Sequence, residues 1–486
     1  MSTHVDVSTG STASVSRTTR PLPEDGHRWE VAALAGLAVC LLGIALIKPF
    51  RPDEIEHVHA AWRVANGRVP YLDFFEHHHP LLWYMLAGLL RLVGESGATV
   101  LIFRLIFYLL ALATLGVTWG LALRVTRSRS VAWLSALLLV STTSFLEASI
   151  MVRPDVPMML FVALSVLFFV RAIEGRRRVD AVVSGVAAGV AIAFLQKAVF
   201  LLIAFAALAA VRRVRSGRWV PGATVAWFGA GLGVTMVAAG GYLAAIGAMR
   251  DYFWTNWLFN VMVTAELPRF PTTGSGLVVN APFWCLACGG AGVLLWRQWA
   301  EDALTTVAVI ACAILGCLIV TRALRLHYLL QSLPLLAVVA AWALHGVFER
   351  LALASRQRFA AVFLLALAPV VGRVLSIKST NWPQQAAIDY VLTHSGPHDP
   401  MHDPALQFNL FRPDLHYFGD LPTDQRRVVG WYRRVAGARF AGYDACALID
   451  VKRPRFVSDA EGQLETCGLS RRYRKTLFAG LYERLD

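Results

Sequence analysis

The sequence predicts a polytopic α-helical membrane protein, and three observations predict it. Hydrophobic residues make up 56% of the 486-residue chain and charged residues only 16%, with a mean hydropathy of +0.53. So little charge cannot cover a water-exposed surface. Apolar runs near the ~20 residues a bilayer span needs recur at 30–49, 97–123, 131–149, 156–173, 181–196, 198–211, 221–247, 277–297, 303–321, 327–347 and 358–375. Arginines concentrate in short loops between those runs, where they fix orientation. The net charge of +14 therefore speaks for topology and against a nucleic-acid partner.

The strongest basic loops are Arg124/Arg127/Arg129, Arg171/Arg176/Arg177/Arg178, Arg212/Arg213/Arg215/Arg218 and Arg350/Arg356/Arg358. All of them, and the basic N-terminus, fall on the cytoplasmic side if the apolar run 80–94 lies at the outer interface and does not cross. That gives about eleven spans, the N-terminus inside and the C-terminus outside. Residues 1–28 lack an apolar core with a cleavage site and read as a disordered cytoplasmic tail. The membrane domain covers 29–375, with a first outer loop at 50–96.

The same orientation gathers the unusual residues on the outer face. They are the run from Arg51 to Ala60, the segment Asn66–Tyr71, Glu76 to Pro80, the turn Met151–Asp155 and the Gln196–Lys197 hinge. The aromatic loop 248–276 and the segment Thr321–Arg325 fall there too. Charge beside a bilayer is costly unless it faces a wet cavity and does chemistry, so the cluster marks a site. Lys197, alone between two apolar runs, either meets an anion or snorkels to headgroups. Arg104 either reaches the cavity or snorkels.

Glu76 and His78 leave a divalent metal as an option, but spacing argues against a formed centre. His57 and His59 cannot share a helix face, and three consecutive histidines diverge. No cofactor is required. Cys285 and Cys288 form a lone CxxC without a partner pair, which suits packing better than zinc.

Residues 376–486 change character. They are polar and rich in turn signals, and their length suits a small α/β domain outside the membrane. A helix is expected at Gln384–Thr393 and short strands at Arg427–Trp431 and Ala447–Val451. Cys446 and Cys467 lie here, free to pair or to remain buried thiols.

Carboxylates at an outer face, with cations on neighbouring loops, suit an enzyme acting on a lipid with a charged head. Lysine and arginine grip a phosphate, and a carboxylate takes a proton from an incoming hydroxyl. A transporter would place its polar groups at mid-membrane depth in repeated halves, and no repeat is seen.

These residues carry a resemblance. Pro52-Asp53-Glu54, Ala65 to Tyr71, Phe75-Glu76 to Pro80, Arg153-Pro154-Asp155, Phe194 to Lys197, the Tyr252–Arg269 loop and Arg325 to Pro334 follow, in order, the pattern of a known group. It is the polyprenyl-phosphate-dependent membrane glycosyltransferases of the C-type fold (GT-C), in particular the protein O-mannosyltransferases and the aminoarabinose transferases of lipid A. The resemblance implies an inverting sugar transfer from a polyprenyl-phosphate donor to a lipid, polysaccharide or protein acceptor. It implies Asp53 as catalytic base with Glu54 beside it, Asp155 as a second acid, and Lys197, Arg322, Arg325 and His79 at the donor phosphate. Where the lipid A enzymes carry Glu-Lys-Pro, this chain carries Glu76-His77-His78-His79-Pro80. Either a histidine supplies that phosphate contact or the contact is missing. The alternatives are a lipid or ion transporter and an inactive subunit with the same fold.

Overall fold

The computed structural model describes residues 27–266, 278–297, 302–321, 326–417, 445–459 and 467–485. Among them, seven helices are long and apolar enough to cross a membrane. The chain is a polytopic α-helical membrane protein with a small β-containing region at its C-terminal end. Large apolar side chains such as Val237, Leu364, Leu109 and Trp296 stand exposed on the outside of the bundle. Such a surface belongs in lipid and not in water.

The helices run in order: α1 (His27–Ile47), α2 (Pro52–Ala65), α3 (Leu81–Val93), α4 (Thr99–Thr126), α5 (Arg129–Val140), α6 (Thr143–Ala148), α7 (Asp155–Gly175), α8 (Arg178–Phe194), α9 (Val199–Ser216) and α10 (Gly222–Ala245). A π-helical turn (Phe253–Phe259) follows, and later apolar helices span Ala281–Arg297, Ala303–Val320, Leu333–Arg350 and Ser355–Leu375. The 13-residue α3 is about 20 Å long, short of the ~30 Å hydrocarbon core.

Helices α8 and α10 pack at backbone distance. A Cβ on Gly185 would fall 2.0 Å from the Phe228 carbonyl oxygen, and one on Gly231 2.2 Å from that of Val182. Small residues at a membrane helix crossing permit this approach.

The expected single span at 131–149 is broken in two. Ser141 and Thr142 turn their hydroxyls back to the carbonyls of Leu138 (2.6 Å) and Leu139 (2.9 Å). The Thr142 hydroxyl then caps α6 by accepting from the Phe145 amide. A run of four hydroxyl residues competes with the helix ladder for backbone partners, and here it wins.

Beyond the membrane helices, a helix at Trp382–His394 matches the expected one, and four strands follow. They are β1 (Met401–His402), β2 (Phe456–Ser458), β3 (Tyr473–Lys475) and β4 (Leu481–Arg484), ordered β1-β2-β4-β3. β1 and β2 are parallel and the other pairs antiparallel. The strand expected at Ala447–Val451 is instead the helix Ala445–Lys452. A short apolar run does not distinguish the two states; here Ile449 packs with Leu415, Val457 and Leu469. Cys446 is disulfide-bonded to Cys467, with Cα atoms 5.2 Å apart. The strand expected at Arg427–Trp431 lies outside the described residues.

This region docks directly on the first loop. Asn381 satisfies the last carbonyls of α1, donating to Leu46 (2.7 Å) and Lys48 (3.1 Å). The Gln384 side chain accepts from the Phe50 amide (2.7 Å), and the Asp389 carboxylate accepts from the Gly97 amide (2.7 Å). His59 and Arg63 of α2 meet Asp414. The segment after 376 and the loop 50–97 therefore share one face.

Candidate active site

The first loop is set by its own start. Pro52 opens α2, where a missing N–H costs nothing. The Arg51 amide donates to the Glu54 carboxylate (3.1 Å). Successive residues of α2 then point in different directions. Asp53 faces a cavity with a side-chain exposure of 46%, while Glu54 points inward and is fully buried.

Glu54 meets Arg104 of α4 through two parallel bonds, Nε to Oε1 at 2.8 Å and Nη2 to Oε2 at 2.6 Å. It also accepts the Val152 amide (3.2 Å). Arg104 spends its remaining donors on the carbonyls of Ala45, Lys48 and Pro49, which the end of α1 leaves unpaired. Burial alone would push the Glu54 carboxyl up; the Arg104 guanidinium outweighs it and holds the carboxyl below its ordinary range. Arg104 thus neither lines the cavity nor snorkels. It is an internal pin between α1, α2 and α4.

The cavity beside Asp53 has a volume of about 250 Å³ and is bounded by Lys48, Arg51, Glu147, Arg153 and His327. Arg153 organises it. Its guanidinium is ion-paired to Asp53, and its Nε lies 3.1 Å from Asp155 Oδ2. Asp155 is 1% exposed and stands at the first residue of α7, where the helix dipole favours negative charge. Its Oδ1 makes no hydrogen bond among the described residues.

Lys197 lies in the 3-10 turn Gln196–Ala198 between α8 and α9. Its Nζ stands 2.7 Å from the centre of the Tyr328 ring, a cation–π contact. Burial lowers the Lys197 pKa, and the nearby Tyr328 and Asp155 oppose that shift. The lysine meets an aromatic face in the field of an acid and does not run out to headgroups.

A second cluster lies within the field of Lys197. Glu56, Glu76, His77 and His78 each bring a ligand atom to within 4.8 Å of the others. His78 Nδ1 is 3.2 Å from Glu76 and 3.9 Å from Glu56, and His77 Nδ1 is 4.0 Å from Glu56. The consecutive histidines were expected to diverge. His77 and His78 converge, because residues 75–79 form no helix, while His79 turns away. The segment is pinned where Phe75 donates to the Tyr417 carbonyl, Asn260 donates to the His77 carbonyl and Tyr71 to the His78 carbonyl. Burial pushes His77 and His78 down to about 3, and the charge of Lys197 adds to the effect on both. Burial and the neighbouring Glu76 carboxylate raise Glu56 well above its ordinary value.

Two carboxylates and two neutral imidazoles are a donor set that suits a divalent transition metal. The buried His77 Nδ1 has no hydrogen-bond partner among the described residues, so a lone pair or N–H is left aimed into the cluster. These residues fit a divalent ion.

Asp53 and Asp155 are therefore linked through Arg153, and Lys197 lies in the field of Asp155. His79 sits apart from that line and bonds the Tyr252 hydroxyl (3.2 Å). Arg322 and Arg325 lie outside the described residues. Arg153 and Lys48 received no role from the sequence. The signal for Arg153 was available: an arginine two residues before an acid at a span's start needs a second acid elsewhere. Lys48 offered only a lone lysine at a span's end.

Residues 77–242 match the family described as dolichyl-phosphate-mannose-protein mannosyltransferase. No protein of curated function matches the chain in sequence. Among solved structures, ArnT from Cupriavidus metallidurans bound to undecaprenyl phosphate is similar with a TM-score of 0.64 at 12% identity, over 92% of this chain and 96% of that one. The apo state of the same protein gives 0.64 at 13% identity, over 91% and 94%. The oligosaccharyltransferase of Archaeoglobus fulgidus, tethered to an acceptor peptide, gives 0.55 at 12% identity, over 95% and 75%. The chain has the C-type fold of these membrane glycosyltransferases and, across its middle, the sequence pattern of the mannosyltransferase family.

Proposed function

We propose that the protein transfers a sugar from a polyprenyl-phosphate donor to an acceptor hydroxyl, with inversion, in the cavity beside Asp53. Asp53 takes the proton of the hydroxyl, whose oxygen attacks the anomeric carbon. The bond from that carbon to the phosphate oxygen breaks, and the lipid phosphate leaves with the electron pair. Lys197 compensates the charge on the departing phosphate, with Arg322, Arg325 and His79 as further contacts. Asp155 acts through Arg153, holding the guanidinium that positions Asp53. Glu54 braces the loop through Arg104. A divalent ion at Glu56, Glu76, His77 and His78 would supply further positive charge beside Lys197. In this reading the chain has about eleven spans in a bacterial inner membrane, the N-terminus is cytoplasmic, and this face and residues 376–486 are periplasmic. A lipid, polysaccharide or protein hydroxyl serves as acceptor.

One observation carries this reading: Arg153 joins a half-exposed and a buried carboxylate, and Asp155 in turn lies in the field of Lys197. ArnT, which is similar in fold, is bound to undecaprenyl phosphate in its solved structure. The test is to incubate purified protein with a panel of polyprenyl-phosphate sugars and measure release of the free lipid phosphate. Asp53→Asn should abolish release in a protein that remains folded and membrane-inserted. Undiminished release by that variant would remove Asp53 as the base. A reporter fused at residue 400 should read as periplasmic.

A further inference from the structure

A second cavity, of about 660 Å³, opens at the far ends of α4 and α7. Both helices begin on the Asp53 side, at Thr99 and Asp155, so this cavity lies on the opposite face of the bundle. It owes nothing to the proposed transfer reaction.

Arg124, Arg127, Arg171 and Arg177 line it, against Glu174 and Asp180. The acids are already committed: Arg124 binds Glu174 at 2.6 Å and Arg171 binds Asp180 at 3.2 Å. Arg127 and Arg177 have no acidic partner among the described residues, so the lining carries an excess of two positive charges. Solvation or lipid orientation would explain arginines at helix ends. It does not explain four of them turned around one hollow.

Arg127 terminates α4 in the left-handed conformation, φ 55°. Helix ends place glycine or asparagine there, because a Cβ disfavours that state. Arg127, in that state, is one of the residues lining the cavity. The floor is apolar, with Leu123 and Leu167 beside Gly120.

We propose that this cavity binds the headgroup of an anionic phospholipid of the leaflet opposite the Asp53 site. The excess of two charges fits a lipid with two phosphodiesters. Phosphate oxygens would pair with Arg127 and Arg177 as bidentate acceptors, and the leucine floor would meet the start of the acyl chains. Basic pockets between membrane helices recognise such headgroups in this way. The apolar floor at the membrane end of two helices favours a lipid over a soluble phosphate.

The experiment uses the full-length purified protein in phosphatidylcholine nanodiscs and in detergent, with cardiolipin as the probe. Native mass spectrometry and thermal shift measure binding. Cardiolipin should bind and raise Tm where phosphatidylcholine does not. The double variant Arg127→Gln/Arg177→Gln should weaken binding on the order of thirtyfold. The charge-matched control Arg350→Gln/Arg356→Gln should leave it unchanged. Equal weakening in the control would show diffuse attraction and overturn the site. So would an unaffected double variant, or equal stabilisation by inorganic phosphate or pyrophosphate.

Discussion

Glu54 and Arg104 form a fully buried, two-pronged ion pair, with contacts of 2.8 and 2.6 Å and neither side chain exposed. The pair ties α2 to α4. Because the same guanidinium closes the end of α1, its loss frees three elements at once. Removing one partner of a buried pair leaves an uncompensated charge and costs about 3–5 kcal/mol. Glu54→Gln and Arg104→Met should therefore each lower Tm sharply in detergent. A Glu54→Gln protein with wild-type Tm and no transfer would instead make Glu54 a chemical group.

Arg153 serves two carboxylates, so its replacement separates charge from geometry. Arg153→Lys keeps the charge and loses the fork. It should lower kcat roughly 10²-fold by misplacing Asp53, with a near-normal Tm. Arg153→Met should lose activity and stability together, since the buried Asp155 then loses its ion-pair partner. Lipid-phosphate release measured beside Tm for both variants checks this; an unimpaired Arg153→Lys would show that the fork is not needed.

The Glu56/Glu76/His77/His78 cluster makes a prediction that does not depend on activity. Protein stripped with chelator and dialysed against Zn²⁺ or Mn²⁺ should retain about one ion per chain by elemental analysis. Glu56→Gln combined with His78→Ala should retain none. Equal retention by that variant would assign the metal elsewhere.

Lys48 supplies the pH dependence. Burial, with the charge of Arg373 adding to it, pushes its ammonium from 10.5 down to about 7. Between those values the unfolded chain binds a proton that the folded chain does not, so stability from this site rises with pH across that window and is least below about pH 7. Lys48→Met should thus raise Tm most below about pH 7, and the gain should shrink as pH climbs toward 10.5. A gain independent of pH would mean that packing and not charge sets the cost.

The legible part of the site was local. Asp53, Asp155 and Lys197 could be read because a charge beside an apolar run has few harmless explanations. Arg153 stayed without a role because its two partners are a hundred residues apart and two residues away. Glu76 and His78 could be read as metal options, but the meeting of His77 and His78 with Glu56 could not, because hydrogen bonds from Tyr71, Asn260 and Phe75 set the path of the segment. The helix at Ala445–Lys452 was taken for a strand because a short apolar run obeys either period.

By itself the sequence determined what chain-local free energy can determine. Apolar runs must enter lipid, basic loops choose a side, and isolated charges must find water or partners. Tertiary structure decided which partners those are. Glu54 and Asp53 are adjacent in sequence, yet one became a buried strut and the other a half-exposed acid. Helix geometry turns neighbouring side chains about 100° apart, and only the packing of α4 and Arg153 around α2 gave each direction its meaning.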